Sequence, residues 1–173
     1  MIRNIIVVGA QWGDEGKGKL CDYLTEHGDY KVVVRAQGGS NAGHTTVIQN
    51  KKFALRLIPT GILHEGVKAV IGNGVVVNPE VLLGEMNHLK EEGIEVTPNN
   101  LYISDKANVV MPYHIRLDGL QEESRAREQI GTTRQGIGPC YVDKIKREGL
   151  RMKDLLEPEI FRDKLEQRLT KKK

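Results

Sequence analysis

Near its start the chain runs through Ile5-Ile6-Val7-Val8, apolar without a polar break, and passes directly into Gly9. A β-branched run with no polar alternation fits a strand covered on both faces, as in a parallel sheet, and predicts a strand over residues 3–9. The period then changes. Leu20, Cys21 and Leu24 fall on one stripe of a helix over residues 17–27 that ends at Gly28-Asp29. Tyr30 to Arg35 is apolar again and predicts a second strand. Strand, helix, strand is a βαβ unit, whose crossover is right-handed in nearly every case and brings both strand ends to the same sheet edge.

Thr45 to Ile48 and Lys52 to Leu57 predict a hairpin around Gln49-Asn50-Lys51, and Val67 to Ile71 predicts a buried strand that stops at Gly72-Asn73-Gly74. Asn78-Pro79 is a helix start, cap then first-turn proline, with Val81, Leu82, Met86 and Leu89 as the core stripe up to Gly93. Leu101 to Ser104 is a short strand. Pro112 to Arg127 predicts a helix with Ile115, Leu117 and Leu120 inward and its charges outward. Ile130 to Pro139 is a long irregular glycine-rich segment, a basic stretch runs from Lys144 to Lys153, and Glu157-Pro158 opens a last amphipathic helix carrying Ile160, Phe161, Leu165 and Leu169. The expected fold is α/β, a mostly parallel central sheet with flanking helices and hairpin insertions, in a single domain over residues 1–173.

Composition narrows the function classes. A chain of 173 residues can bury roughly 70% of its unfolded surface. It has no apolar run near the roughly 18 residues of a membrane span and no signal-peptide pattern, so a cytoplasmic protein without membrane association is expected. Cys21 and Cys140 lack metal-ligand spacing and are expected to be plain thiols. The net charge of +3 is small, and the basic runs Lys144-Ile145-Lys146-Arg147 and Lys171-Lys172-Lys173 have no interleaved aromatics for base stacking. A solvated face or a phosphate-bearing small ligand accounts for them without nucleic acid.

The candidate chemistry lies in three glycine-rich loops. Gly9-Ala10-Gln11-Trp12-Gly13-Asp14-Glu15-Gly16-Lys17-Gly18-Lys19 follows the first predicted strand and opens the first helix, where backbone N–H groups and the helix dipole attract an anion. It differs from G-x-x-x-x-G-K-[ST] at both ends, with Gln11 in place of the first glycine and Gly18 in place of the metal-binding hydroxyl. Asp14 can supply the missing oxygen ligand or transfer a proton; its bland role is to cap the helix. Gln37-Gly38-Gly39-Ser40-Asn41-Ala42-Gly43-His44-Thr45 follows the second strand. If those two strands pair directly they lie about 4.8 Å apart, so both loops face one ligand and Asp14 and His44 share a substrate. Gln37 and Asn41 offer amides to a base or phosphate, or hold their own loop. In Ile130 to Pro139, threonine hydroxyls and glycine amides beside Arg134 can wrap a phosphate, or simply connect two elements.

Gln11 to Lys19, Gln37-Gly38-Gly39 with Asn41 to Thr45, and Ile130 to Thr133 with Gly136 to Pro139 together resemble the signature segments of the adenylosuccinate synthetase family. Leu57-Ile58-Pro59 and Ile71 to Gly74 agree with it, and the likeness runs through nearly the entire chain. The resemblance implies a phosphate-loop-NTPase-like fold and GTP-dependent ligation of inosine monophosphate (IMP) and L-aspartate to adenylosuccinate. GDP and phosphate are the other products, 6-phosphoryl-IMP the intermediate, AMP biosynthesis the setting and Mg2+ the cofactor. It implies that Asp14 is the general base and, with the main-chain carbonyl of Gly43, a magnesium ligand; that His44 is the supporting acid; and that Lys17 is catalytic. GTP and phosphate contacts are implied for Gly13, Asp14, Glu15, Gly16, Lys17, Gly18, Lys19, Gly43, His44 and Thr45. IMP contacts are implied for Asp14, Lys17, Gln37, Asn41, Ala42, Gly43, His44, Thr133 and Arg147, with Arg147 reaching the partner's site in a homodimer.

Family members are more than twice as long, and their segments for guanine and aspartate recognition have no counterpart here. The expectation is an N-terminal portion of a larger synthetase-type domain, inactive alone. The alternative is a catalytically incomplete nucleotide-phosphate-binding or dimerisation module.

Overall fold

The computed structural model describes residues 4–171 apart from 12, 14, 42, 49–50 and 125–130, and for residues 44–48 and 171 it describes the backbone alone. The fold is built around β4 (Lys68–Val77), a ten-residue strand that pairs in parallel with β1 (Val32–Gly38), β5 (Leu101–Ile103) and β6 (Asn108–Val109). Val75, Val76 and Val77 are all buried, as a strand covered on both faces requires. On one face Ile71, Val75 and Val77 pack with Leu82 and Leu89 of α2 (Pro79–Glu91). On the other, Val76 packs with Val110 and Cys140, against which Ile115 of α3 (Pro112–Ser124) and Ile137 of α4 (Ile137–Ile145) lie. α1 (Lys17–His27) and α5 (Pro158–Lys171) complete the helices, and β2 (His44–Ile48) and β3 (Lys51–Leu55) form an antiparallel hairpin. Among the described residues no helix is long and apolar enough to cross a membrane.

α2 forms where expected. Asn78 Oδ1 accepts from the amides of Glu80 at 3.0 Å and Val81 at 3.4 Å, and Pro79 occupies the first turn. Met86 packs against the core.

Other expectations are corrected. Described residues 4–9 form no strand, and Ile6 and Val8 are 87% and 79% exposed. An apolar run specifies a strand only when a neighbour supplies ladder hydrogen bonds, and among the described residues β1 pairs only with β4, leaving Val32 and Val34 half exposed. Leu20 of α1 is likewise exposed, while Thr25 is buried. The strand expected to stop at Gly72 runs on through Gly74. A Cβ on Gly74 would lie 2.1 Å from the Ala36 carbonyl oxygen, so the glycine permits close approach of β1, whose register shifts between Arg35 and Gln37. Ile137-Gly138-Pro139 opens α4 rather than continuing the loop, because proline suits a helix's first turn. On α3, Ile115 packs inward as expected, but Leu120 is exposed and the most buried residues are His114, Asp118 and Glu122.

Candidate phosphate site

The first loop turns on glycines with positive φ, Gly13 at +133° and Gly16 at +78°. Gly16 stands at the N-cap of α1 and, among the described residues, no side chain caps that end, where the first amides of a helix attract an anion. The loop already holds a carboxylate. Glu15 accepts from the amides of Gln11 at 2.9 Å and Gly13 at 3.3 Å and from Lys17 Nζ at 2.5 Å. The Lys17 ammonium and these amides lower the Glu15 pKa to about 2. Lys17, Gly18 and Lys19 form the first turn of α1, and Asp22 on that helix meets His64 Nε2 at 2.8 Å, which ties the helix to the 3₁₀ turn Thr60–Leu63. Asp14 lies outside the described residues.

The second loop leaves the end of β1 and is held from behind. The Gly38 amide donates to Tyr141 Oη at 2.8 Å, and Tyr141 in turn donates to the Gly74 carbonyl at 2.8 Å. Arg35 donates to the carbonyls of Gln37 at 3.2 Å and Gly39 at 2.7 Å and to that of Arg56. Burial pulls the Arg35 pKa below its ordinary value, against the attraction of Glu85. Gly39 is buried against Ile137 and Val76. Gln37, Asn41 and Gly43 are exposed, Ala42 lies outside the described residues, and His44 and Thr45 enter β2 opposite Leu55 and Ala54.

The third loop joins α3 to α4. Its Gly131 amide donates to Glu122 Oε1 at 2.6 Å, Thr132 donates to the same oxygen at 3.4 Å, and the Gly136 amide donates to Asp118 Oδ2 at 2.9 Å. Thr133 is exposed between these ties. Ser40 Oγ donates to Gln135 Oε1 at 3.3 Å, so the second and third loops meet. Arg147 is exposed just past α4 with φ +62°, a left-handed conformation uncommon outside glycine.

The expected direct pairing of residues 3–9 with the second strand is absent from the described residues, since β1 takes β4 as its neighbour. The juxtaposition of Asp14 with His44 falls outside what the structure describes. Among the described residues no cluster of three or more His, Cys, Asp or Glu side chains could hold a metal ion. Cys21 and Cys140 are thiols rather than a disulfide, and burial raises the Cys21 pKa.

Sequence reasoning missed Arg35, Glu85, Asp118, Glu122 and Tyr141, which hold the loops. A signal existed for the carboxylates. Glu85 stands on the Leu82–Leu89 face of α2, and Asp118 and Glu122 repeat at the four-residue spacing of one helical face.

Helices on both faces of a parallel sheet, glycine-rich loops after β1 and between α3 and α4, and a glycine-capped helix α1 define an α/β protein of the phosphate-loop type. The adenylosuccinate synthetase family model matches residues 6–173. The chain belongs to that family. It is 56% identical over 164 residues to the adenylosuccinate synthetase of Clostridium acetobutylicum, covering 95% of this chain and 38% of the relative. It is 56% identical over 169 residues to that of Heliobacterium modesticaldum, covering 98% and 39%. The fully ligated adenylosuccinate synthetase of Plasmodium falciparum superposes with a TM-score of 0.82 at 40% identity, covering 94% of this chain and 37% of that one. The chain thus spans 38–39% of the length of these bacterial relatives.

Proposed function

We propose that this chain carries the phosphate-binding and proton-transfer loops of GTP-dependent ligation of IMP and L-aspartate to adenylosuccinate. The observation that carries the reading is the superposition on a fully ligated synthetase, TM-score 0.82 at 40% identity over 94% of the chain. The Ser40–Gln135 contact adds support, because it joins two loops that the resemblance assigns to one nucleotide.

In this reading Asp14 takes the N1 proton of the hypoxanthine ring, and the 6-oxygen attacks the γ-phosphorus of GTP as the bond to GDP breaks. His44 supports the transfer with a proton. The aspartate amine then displaces phosphate from carbon 6. Phosphorylating the oxygen first matters because a carbonyl oxygen is a poor leaving group. Positioning and charge stabilisation dominate phosphoryl transfer, and that is the work of backbone amides and Lys17. A carboxylate of ordinary pKa, about 3.9, is a weak base for a ring amide, so Asp14 needs its surroundings tuned.

Magnesium would be held by Asp14 and the Gly43 carbonyl. The donor set fits, since Mg2+ takes one or two hard protein oxygens plus phosphates. Among the described residues, a Cβ on Gly43 would meet nothing within 4 Å, which leaves space beside it. The ion, when bound, neutralises charge on the phosphates. Gln37, Asn41, Ala42, Thr133 and Arg147 contact IMP, with Arg147 acting across a homodimer, and the protein works in the cytoplasm.

A hybrid tests this. Residues 1–173 replace the matching segment of the Clostridium acetobutylicum synthetase, and phosphate release from GTP is followed with IMP, with and without aspartate. Aspartate-dependent release that Asp14→Asn abolishes is expected. A folded hybrid that releases no phosphate would contradict the proposal and favour an incomplete binding module.

A further inference from the structure

α3 buries two of its carboxylates, Asp118 and Glu122, while Arg116 and Glu123 stay exposed. Asp118 and Glu122 are 8% and 3% exposed. A buried carboxylate is costly unless its oxygens find donors. Among the described residues, main-chain amides of the loop between α3 and α4 serve as donors. Glu122 Oε1 takes Gly131 at 2.6 Å and Thr132 at 3.4 Å, and Asp118 Oδ2 takes Gly136 at 2.9 Å. Both ends of the segment 131–136 are therefore fastened to one helix. Within it, Thr132 Oγ1 accepts from the Arg134 amide at 3.4 Å, which turns that hydroxyl back on the loop. Thr133 is left exposed at the apex.

We infer that Asp118 and Glu122 are positioning residues for the phosphate of IMP: by accepting the amides at both ends of the loop they hold Thr133 outward in its binding conformation before ligand arrives. This rests on the proposed role of Thr133 as a phosphate contact. Acids beside a phosphate loop would repel the ligand if they faced it. These approach from the helix side and accept from the loop's own N–H groups, so their effect is order. A loop already fixed loses little conformational freedom on binding, and its affinity for the phosphate rises accordingly. Gly136 completes the device. It sits at φ +72° with its Cα against the main chain of His114 and Ile115, so the loop closes onto α3 at the point where Asp118 receives it.

Among the described residues, the oxygens that accept from the loop amides are Glu122 Oε1 and Asp118 Oδ2. An amide side chain can supply such an oxygen, which gives the test its control. Calorimetric titration of the 173-residue chain with IMP, and separately with inosine, compares wild type with D118A, E122A, D118N and E122Q. Each alanine variant is expected to weaken IMP by about tenfold while inosine changes by less than about twofold, as loss of one loop tie would give. D118N and E122Q are expected to restore IMP to within about threefold of wild type. Alanine variants that keep the preference for IMP over inosine, or weaken both ligands alike, would overturn the inference and leave the site assignment standing. A wild-type chain without that preference would overturn the site assignment and the inference with it. If an alanine variant does not fold, hydrogen exchange of the wild type decides. Protected Gly131 and Gly136 amides without ligand are expected, and exchange at the rate of exposed amides refutes the pre-formed loop.

Discussion

Replacing Glu85 by alanine should cost the fold more than any surface change of the same size. Glu85 lies at the buried face of α2, and its carboxylate accepts from the amides of Arg56 at 2.7 Å, Leu57 at 2.9 and 3.1 Å, and Ile58 at 3.0 Å. Leu57 and Ile58 are 0% and 2% exposed, so water cannot readily replace the lost acceptor, whereas Arg56 is exposed and can be rehydrated. Two stranded buried donors at roughly 1–3 kcal/mol each put the loss near 4 kcal/mol, a large part of the 5–15 kcal/mol typical of a domain. Glu85→Gln keeps one acceptor but turns an NH2 group toward the same donors, for a loss of about 2 kcal/mol. Urea unfolding followed by far-UV circular dichroism should show the midpoint falling in the order wild type, Gln, Ala at an unchanged slope. An alanine variant within about 1 kcal/mol of wild type would refute the reasoning, because it would mean that these amides are satisfied without Glu85. The damage should reach the second loop, since Arg35 links the Arg56 carbonyl to that of Gly39.

Gly136→Ala forces a Cβ to 2.7 Å from the Ile115 nitrogen at φ +72°; a loss of about 3 kcal/mol is expected in thermal unfolding, from strain plus the clash. Arg147→Gly should do the opposite, raising stability by about 1 kcal/mol through relief of the left-handed backbone, while IMP affinity falls if Arg147 serves the site. Glu15 provides the pH test. Its pKa is depressed to about 2 from 4.5, so its contribution is fully present above 4.5 and is lost as pH falls toward 2. Binding of GTP should turn Lys17 to the phosphates and let the Glu15 pKa rise toward its ordinary value, read from its carboxyl carbon shift in a pH titration.

The apolar patterns that met a covering layer were legible. α2 was readable from its Asn-Pro start and its stripe, and the β2–β3 hairpin from its turn, because local capping and periodicity decide those elements. Residues 4–9 failed for a physical reason: pattern reports apolarity, while a strand needs a partner that the local sequence does not name. α3 formed where expected and packs Ile115 inward, but its buried polar residues were not foreseen. Its apolar residues suggested a core face, but the loop that it must hold offers unpaired amides, and Asp118 and Glu122 turn inward to meet them. The phosphate loops themselves were visible as glycine-rich segments, since glycine is needed at Gly13, Gly16 and Gly136 for positive φ. The groups that position them come from distant β1, α2, α3 and α4, which no short window connects.

Whether the second and third loops form one nucleotide site is tested most directly by titrating the isotope-labelled chain with IMP and following the amide resonances of Gly38, Gly39, Gly131 and Gly136. Loops joined through Ser40 and Gln135 around a single phosphate should shift together along one binding curve with one dissociation constant. Shifts confined to one loop, or two curves with different affinities, would contradict a shared site.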